Sequence, residues 1–371
     1  MSMMHHRYVG LDVHRATLSV AIADVDQPPH SYGKIPNDPT AIRKLMQRLG
    51  GPETILQVAY EAGPTGYVVQ RQLSELGIAC LVVAPSLIPV RAGDRVKTDR
   101  RDALKLARLL RSGDLTPVWV PDREHEALRN LVRARAAAKA DQLRAKHRLG
   151  KFLLCQGARP PSGVRNWCKR YFQWLQHLTF EQVADRVVFA DYLAEVVAAG
   201  ERVKRLEAAL RECAQTTPQA VLIQALQAFR GIGFLSAVTI VAEAGDLRRF
   251  PTAPQFMGYT GAVPSETSSG SKQSRGRITR TGNSALRHML GEAAQHARHA
   301  PSLSAELKRR QKHVSQPVID LAWRAQLRLH ARYRHLSGRL GPHKAIVAVA
   351  RELAGFVWAT GALLAQGTPA A

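Results

Sequence analysis

Short apolar runs alternate with helix-like segments over the first 112 residues. Residues 8–24 (YVGLDVHRATLSVAIAD) are mostly β-branched and other apolar residues around a polar HRA turn, which predicts two strands. A third short strand is predicted at 30–35. The pattern then predicts helices at 40–49 and 67–76, a helix that runs from an N-cap at Thr98 to about residue 111, and strands at 55–60 and 78–84. Three strands followed by alternating helix and strand predict an α/β layer with an antiparallel start.

The pattern becomes helical and strongly basic after residue 120. Residues 123–170 hold 13 basic and 3 acidic residues, with leucine and valine interleaved at helical spacing. Residues 180–215 predict a second long helix, and a PPSG break at 160–163 separates the two. Two long helices with sparse apolar positions predict an antiparallel coiled-coil arm, which is a candidate dimerisation element. An ordinary helical bundle with a solvated basic face fits the same pattern.

A third pattern begins near residue 221 and predicts a mostly helical region. Residues 229–245 (FRGIGFLSAVTIVAEAG) place a tight Gly-Ile-Gly turn before an apolar helix, and residues 264–283 predict a loop rich in Ser, Gly and Arg. The apolar stretch 345–365 contains Arg351 and Glu352, so no transmembrane helix is predicted. We therefore predict three domains: an α/β domain at 1–120, a basic helical coiled-coil region at 121–218 and a mostly helical domain at 219–371.

The charge balance favours nucleic acid over a membrane surface as the partner. The 371 residues include 53 Lys and Arg against 29 Asp and Glu, which gives a formal net charge of +24. Phosphates attract such a surface, and their binding releases condensed counterions. GC-rich coding explains part of the arginine excess, but the acidic residues are not raised to match. The candidate nucleic-acid contacts in the basic helices are Arg129, Arg133, Arg144 and Lys146.

The cysteines and the N-terminus predict a cytoplasmic protein. The four cysteines are widely spaced and form no C-x-x-C pair, which argues against a disulfide framework and against a structural zinc site. The first eight residues contain no apolar signal core.

Four carboxylates stand at the ends or starts of predicted elements. Asp12 lies where an apolar strand meets its turn, Glu61 ends another strand, and Asp99 and Asp102 lie three residues apart at a helix start. Phosphoryl transfer with two metal ions needs several hard oxygen ligands around the scissile phosphate. Each acid alone has an ordinary structural explanation, such as a turn cap or a favourable interaction with a helix dipole. Their spacing and setting together favour a metal site.

Residues 259–283 (YTGAVPSETSSGSKQSRGRITRTGN) combine serines with cations. A serine hydroxyl is a poor nucleophile unless a base takes its proton or its pKa is lowered, and nearby cations would stabilise a pentavalent phosphate. Composition alone favours a flexible basic loop that only binds nucleic-acid backbone. The Gly-Ile-Gly turn resembles a helix-hairpin-helix turn that meets a phosphate, although a plain helix–helix turn is almost as good an interpretation. The serines and cations are Ser265, Ser268, Ser269, Ser271, Ser274, Lys272, Arg275, Arg277 and Arg280.

The segments 8–18 (YVGLDVHRATL), 59–67 (AYEAGPTGY) and 97–110 (KTDRRDALKLARLL) resemble the DEDD-type transposases of bacterial insertion sequences. The resemblance covers nearly the whole chain. It implies an N-terminal RuvC-like domain with a ribonuclease H-like fold and a C-terminal serine transposase domain. Motif by motif, it places the family's four acids, which would bind Mg²⁺, on Asp12, Glu61, Asp99 and Asp102.

The resemblance also implies a nucleophile. In these transposases a serine just before a glycine attacks DNA and forms a covalent phosphoserine linkage. The best match after the GAVP segment is Ser269, with Ser268 as the alternative because the serine run leaves the register open by one residue. Tyr259 is another conceivable nucleophile, but its apolar surroundings predict a core position. The residues that would bind phosphate are Lys272, Arg275, Arg277, Arg280 and Asn283.

The resemblance implies an enzyme that mobilises its own insertion sequence in the bacterial cytoplasm, in association with the nucleoid. Its two catalytic domains would act together across the subunits of a dimer or tetramer, and the metal would help to activate Ser269. The family also uses a structured guide RNA, encoded by the element, which pairs with target and donor DNA. The basic helices suit such an RNA.

Two rival hypotheses remain open at this stage. A metal-dependent nuclease that resolves DNA junctions with water needs the four acids but no serine. A non-catalytic nucleic-acid-binding protein needs neither, and its acids would have structural roles only.

Overall fold

The apolar runs of the first 85 residues form a five-stranded sheet in a computed structural model that describes residues 5–89, 98–269 and 272–366. Its strand order is β3-β2-β1-β4-β5; β1, β2 and β3 are antiparallel neighbours, whereas β4 runs parallel to β1 and to β5. The strands are β1 (His5–Val13), β2 (Thr17–Asp24), β3 (His30–Pro36), β4 (Thr54–Glu61) and β5 (Ala79–Val83). The predicted strands are confirmed, with small shifts at their ends.

Three helices complete this first unit, which spans residues 1–120: α1 (Pro39–Leu49), α2 (Val68–Glu75) and α3 (Asp99–Ser112). The side chains of Asp38 and Thr98 cap α1 and α3 by accepting hydrogen bonds from the backbone amides of Ala41 and Arg101. One face of the sheet packs its large apolar side chains with α1 and α2. The other face carries alanines against α3.

A glycine on β1 lets α3 approach the sheet closely. A Cβ atom on Gly10 would lie 2.2 Å from the carbonyl oxygen of Ala103 and 2.5 Å from the amide nitrogen of Ala107. Both neighbours are backbone atoms, so any larger residue would push the helix away from the strand. The first turn of α3 is thereby held near the carboxyl end of β1.

The second unit, residues 121–371, begins with two long helices that pack against each other. Three ion pairs join α4 (Arg123–Cys155) to α6 (Val183–Thr216) in antiparallel order: Arg135–Glu207, Asp141–Arg202 and Arg148–Glu195. Four of the five buried residues of α6 recur at every seventh position, which is the spacing of a coiled coil: Phe189, Val196, Val203 and Leu210. Part of the positive charge of α4 is therefore paired with acids of α6, at Arg135 and Arg148.

The sequence interpretation missed the short aromatic helix α5 (Lys169–Gln176), which packs between α4 and α6 at their far end. The rest of the unit is a helical core around the apolar helix predicted after the Gly-Ile-Gly turn. Its helices are α7 (Ala220–Leu226), α8 (Phe234–Ala244), α9 (Ala253–Tyr259), α10 (Ser284–Ala294), α11 (Ala305–Gln311), α12 (Gln316–Leu340) and α13 (Pro342–Gln366).

The last helix, α13, is long and apolar enough to cross a membrane by those two criteria alone. Core helices of proteins that do not enter membranes meet the same criteria. Here α13 packs against α9, α10 and α12 and buries one face in the helical core.

The predicted loop at 264–283 is instead mostly a β-hairpin, formed by β6 (Pro264–Ser269) and β7 (Lys272–Ile278). The described side chains of β6 are largely exposed, so no apolar alternation reveals the strand in the sequence. The tip of the hairpin, which includes the candidate Ser271, lies outside the described residues, as does the side chain of Lys272.

Candidate active site

Strand register assembles a row of polar residues across four strands of the first unit. Lys34 pairs with Ser19, and Ser19 pairs with Asp12. Because Leu11 pairs with Tyr60 in the parallel ladder, the next residue on each strand places Glu61 beside Asp12. Successive side chains on a strand point to opposite faces, so this row lies on the face that α3 covers.

The first turn of α3 adds two more carboxylates to this row. Asp99 and Asp102 are three residues apart and therefore project from one side of the helix. All four acids predicted from the sequence, Asp12 and Glu61 included, line one cleft of about 1000 Å³. The structure thus brings the predicted acids to one place.

Three of the groups in the cleft are close enough to share one cation. The Nε2 atom of His14 lies 3.2 Å from Oδ2 of Asp12 and 3.4 Å from Oδ1 of Asp99. One potential ligand atom from each of these residues falls within 4.8 Å of the other two. Glu61 and Asp102 line the same cleft but are not members of this cluster of described residues.

Burial and charge perturb two of these carboxyls in opposite directions. Burial raises the pKa of Asp12, and the negative charges of Asp99 and Asp102 add to this increase although His14 opposes it. A hydrogen bond at 2.8 Å from the Lys34 ammonium lowers the pKa of Asp99. The ionised form is therefore disfavoured at Asp12 and favoured at the more exposed Asp99, which pairs with Lys34.

The residues present fit a divalent metal ion. Carboxylate oxygens are the ligands that hard divalent cations prefer, and imidazole is a common further ligand of transition metals. A bound cation would offset the repulsion that disfavours ionised Asp12. Ser19, which is 3% exposed and pairs with Asp12, has an Oγ atom with no hydrogen-bond partner among the described residues.

Sequence reasoning missed His14, which lines the cleft, and also Lys34 and Ser19, which lie beside Asp99 and Asp12. His14 directly follows β1 and is two residues from Asp12, so its closeness in the sequence was an available signal. Ser19 comes beside Asp12 through the pairing of β1 with β2, and Lys34 comes beside Ser19 through the pairing of β2 with β3, which short-range patterns do not specify.

The serine hairpin of the second unit places its two candidate nucleophiles on opposite faces. The Ser268 hydroxyl donates a hydrogen bond to Oε1 of Glu266 at 3.0 Å, and Nε of Arg275 lies 3.5 Å from Oε2 of the same carboxylate. Strand alternation turns Ser269 to the other side of β6. Arg275 and Arg277 are exposed on β7, as expected for phosphate ligands.

The base of the hairpin is closed by backbone contacts. The amides of Thr279 and Arg280 donate to the carbonyl oxygens of Val263 and Gly261 at 2.9 and 3.1 Å. Arg280 adopts a left-handed conformation with φ of 57°. Asn283, a predicted phosphate ligand, instead directs its side chain inward, where its amide donates to Glu243 at 2.6 Å.

Tyr259 is partly buried and packs against the helical core, in line with its apolar surroundings in the sequence. Its ring packs against Phe250 and Phe256, and the guanidinium of Arg249 lies 4.5 Å from the ring centre.

The four basic residues of α4 that are predicted to contact nucleic acid all interact with other side chains of the protein. Arg133 makes two hydrogen bonds to Glu243, Arg144 pairs with Asp141, and the ammonium of Lys146 lies 5.1 Å from the ring centre of Trp167. Arg129 is half-buried and contributes positive charge near Glu243. Their contact with nucleic acid stays a prediction.

Two family models and several known proteins are similar in sequence to this chain. A model of IS110-type DEDD transposases matches residues 9–155, and the model described as the transposase IS116/IS110/IS902 family matches residues 223–309. The putative transposase y4qE of Sinorhizobium fredii is 41% identical over 356 residues, which are 95% of this chain and 87% of that protein. The chain belongs to the IS116/IS110/IS902 family of transposases.

Two further relatives agree with this assignment. The transposase for insertion sequence element IS1533 of Leptospira borgpetersenii is 30% identical over 332 residues, 89% of this transposase and 96% of the relative. A probable family 20 transposase of Pseudomonas aeruginosa is 27% identical over 295 residues, 77% and 82% of the two chains. This transposase is therefore an enzyme of DNA recombination that cuts and rejoins DNA, and its DEDD domain implies the use of divalent metal ions.

Proposed function

We propose that this transposase cuts and rejoins the DNA of its own insertion sequence by means of a Mg²⁺ site and a serine nucleophile. The metal ligands in this proposal are Asp12, Glu61, Asp99 and Asp102, and the nucleophile is Ser269. The observation that carries the metal site is the cleft lined by all four acids, which come from two parallel strand ends and one helix start.

The first unit would be a ribonuclease H-like, RuvC-like catalytic domain. The sheet order β3-β2-β1-β4-β5 supports this assignment, because its first three strands are antiparallel and its last three are parallel. The positions of the acids also support it: they lie on β1, on β4 and on the helix that begins at Asp99.

Mg²⁺ bound by these acids would polarise a phosphoryl oxygen and offset charge that develops on the phosphate. The Ser269 oxygen would form a bond to phosphorus while the bond from phosphorus to the leaving sugar oxygen breaks. The serine proton would pass to a base, and the leaving oxygen would gain a proton. The exposed guanidinium groups of Arg275 and Arg277 would bind the phosphate backbone beside that serine.

Ser268 is the second candidate nucleophile, and one contact favours it. Its hydroxyl already donates to the carboxylate of Glu266, a group of the kind that accepts a proton from an attacking hydroxyl. Ser269 is retained as the proposed nucleophile because it directly precedes Gly270, as in the transposases that the chain resembles. The two serines face opposite ways, so substitutions distinguish them.

The partners in this proposal are donor and target DNA, a structured guide RNA and further copies of the chain in a dimer or tetramer. The net charge of +24 supports contact with nucleic acid. The heptad spacing of α6 supports a coiled-coil region that would serve assembly or RNA binding. The protein would act in the bacterial cytoplasm, at the nucleoid.

Removal of divalent ions tests the metal site. We expect a chelator to stop strand cleavage of a DNA carrying the element's ends by the purified protein with its bound RNA. Added Mg²⁺ should restore the cleavage, because the acids alone only repel phosphate. Cleavage products are measured on a denaturing gel, with Na⁺ at equal ionic strength as the control. Full activity in the presence of the chelator would show that the cleft is not a metal site.

Sequencing of the RNA that co-purifies with the transposase tests the guide. We expect one defined species, transcribed from beside the gene, because a guide must have a fixed structure and a fixed partner. A nuclease-treated sample should lose strand exchange and regain it when that single RNA is added back. A heterogeneous mixture that represents total cellular RNA would contradict the guide and leave only non-specific attraction to the basic surface.

A further inference from the structure

A buried carboxylate lies beneath the serine hairpin and is not explained by the chemistry proposed above. Glu243 is the one acid in α8, and its side chain is 2% exposed. Nε and Nη2 of Arg133 donate to its two oxygens at 2.8 and 2.9 Å, and Nδ2 of Asn283 donates to Oε2 at 2.6 Å. A buried charge is costly unless it is paired and fully hydrogen-bonded, and this pairing joins residues far apart in the sequence.

The contacts keep this carboxylate ionised. Burial raises the pKa of Glu243, but the hydrogen bonds from Arg133 and Asn283 and the charges of Arg133 and Arg129 outweigh burial, so the pKa lies below its ordinary value. Glu243 is therefore a charged acceptor that holds two donors at once.

Asn283 connects this carboxylate to the exit of the hairpin. Its Oδ1 atom accepts a hydrogen bond from the amide of Leu286 at 3.0 Å and so caps α10, while its Nδ2 atom is bound by Glu243. The residue before it, Gly282, lies against the backbone of Tyr259, where a Cβ atom would fall 1.7 Å from the carbonyl oxygen. Both the oxygen and the nitrogen of the Asn283 side-chain amide are thus held by hydrogen bonds.

The segment that enters the hairpin also contacts Glu243, at its backbone. The hydroxyl of Tyr259 lies 3.4 Å from the backbone oxygen of Glu243, and Arg287 donates to the carbonyl oxygen of Thr260 at 2.9 Å. Beyond this base the described side chains of β6 are mostly exposed and do not belong to an apolar core. The direction in which the hairpin points is therefore set at its base.

We propose that Glu243 is a positioning residue that fastens the base of the serine hairpin to α4 through Asn283 and Arg133, and so holds the hairpin serine where it can react. This inference rests on the serine chemistry of the proposed function. It adds that the helix carrying the basic surface and the hairpin carrying the nucleophile are joined through one buried charge.

An exchange of hydrogen-bonding roles tests this link. In Asn283→Asp the α10 cap is retained, because aspartate is as good an N-cap as asparagine, but a second carboxylate faces Glu243. In the double variant Asn283→Asp with Glu243→Gln, the glutamine amide donates to the new aspartate and its oxygen still accepts from Arg133. The matched control is Glu207→Gln, which weakens the Arg135–Glu207 pair elsewhere on α4.

Hydrogen exchange of the full-length protein without DNA gives the first readout. We expect the amides of Thr279 and Arg280 to exchange roughly tenfold faster in Asn283→Asp, because one charge-assisted hydrogen bond is replaced by repulsion. The double variant should return to within about twofold of the unaltered protein. Glu207→Gln should leave these amides unchanged.

The rate of covalent adduct formation gives the second readout. We expect this rate, measured at saturating DNA, to fall roughly tenfold in Asn283→Asp and to recover in the double variant. If Asn283→Asp does not fold, Asn283→Ser keeps a capping oxygen but loses the amide donor and should change both readouts in the same direction.

Unchanged exchange in Asn283→Asp, or no recovery in the double variant, would overturn the positioning role. If hydrogen exchange changes as expected but the unaltered protein forms no covalent adduct, the positioning role is supported and the proposed serine chemistry is wrong. The two failures are therefore distinguishable.

Discussion

Replacement of Ser269 by alanine is expected to abolish the covalent link between the transposase and DNA. Strand exchange should fall by at least about 10³-fold, because no oxygen at this position can form the bond to phosphorus. The adduct is measured as the fraction of end-labelled DNA that stays attached to the protein in denaturing detergent. Mass spectrometry of the DNA-linked peptide identifies the attached residue. DNA affinity should stay within about twofold, because the phosphate-binding cations are retained.

The control is Ser274→Ala, which removes an exposed hydroxyl from the neighbouring strand β7 and should leave the adduct intact. If Ser268→Ala removes the adduct and Ser269→Ala does not, the nucleophile is the serine that donates to Glu266. If neither substitution matters and metal-dependent breaks still form, the serine mechanism is wrong. A nuclease that uses water would then be the better interpretation.

The positions of the four acids in the sequence predicted their meeting in the structure. Asp12 and Glu61 each end an apolar run, and the carboxyl ends of neighbouring parallel strands share one edge of a sheet. The capping residue Thr98 and the spacing of Asp99 and Asp102 predicted the start of α3. Local patterns were sufficient here because each acid is placed by the element that it ends or begins.

Parts of the site that depend on long-range pairing were not predicted. Lys34 reaches Asp99 only because β3 pairs with β2, and that pair includes an irregularity after Val20 that no local pattern specifies. The hairpin at 264–278 was interpreted as a loop because its polar strands carry no apolar alternation. The chemistry of these segments was visible in the sequence, but their geometry was not.

Glu243 is another residue whose contacts could not be predicted from the local sequence. A single acid within the apolar run of 234–244 was a visible anomaly, since a buried charge requires partners. Its partners, Arg133 and Asn283, are 110 and 40 residues away. They were instead grouped with the nucleic-acid contacts, because basic and amide side chains of this kind commonly bind phosphate.

Replacement of Asp12 by asparagine is expected to lower strand cleavage by about 10³-fold, since loss of several kcal/mol of metal-based stabilisation of the phosphate has an effect of this size. The fold should be retained and its melting temperature should not fall. Asparagine has nearly the same shape, and it removes a partly buried charge that Asp99 and Asp102 repel. Binding of Mn²⁺, measured by calorimetry, should weaken in parallel. Activity should thus fall without a loss of stability, as is common where a site is built for function.

The control for this prediction is Asp26→Asn, which removes an exposed acid from the turn between β2 and β3 and should change neither cleavage nor Mn²⁺ binding. Full strand exchange by Asp12→Asn would contradict the metal mechanism, because a neutral amide is a poor substitute for a ligand carboxylate. Loss of DNA binding with the fold intact would instead assign Asp12 to recognition and favour a non-catalytic role for the acids. Only retained DNA binding with lost cleavage and weakened Mn²⁺ binding fits a cleft in which the carboxylates hold the ion that acts on the phosphate.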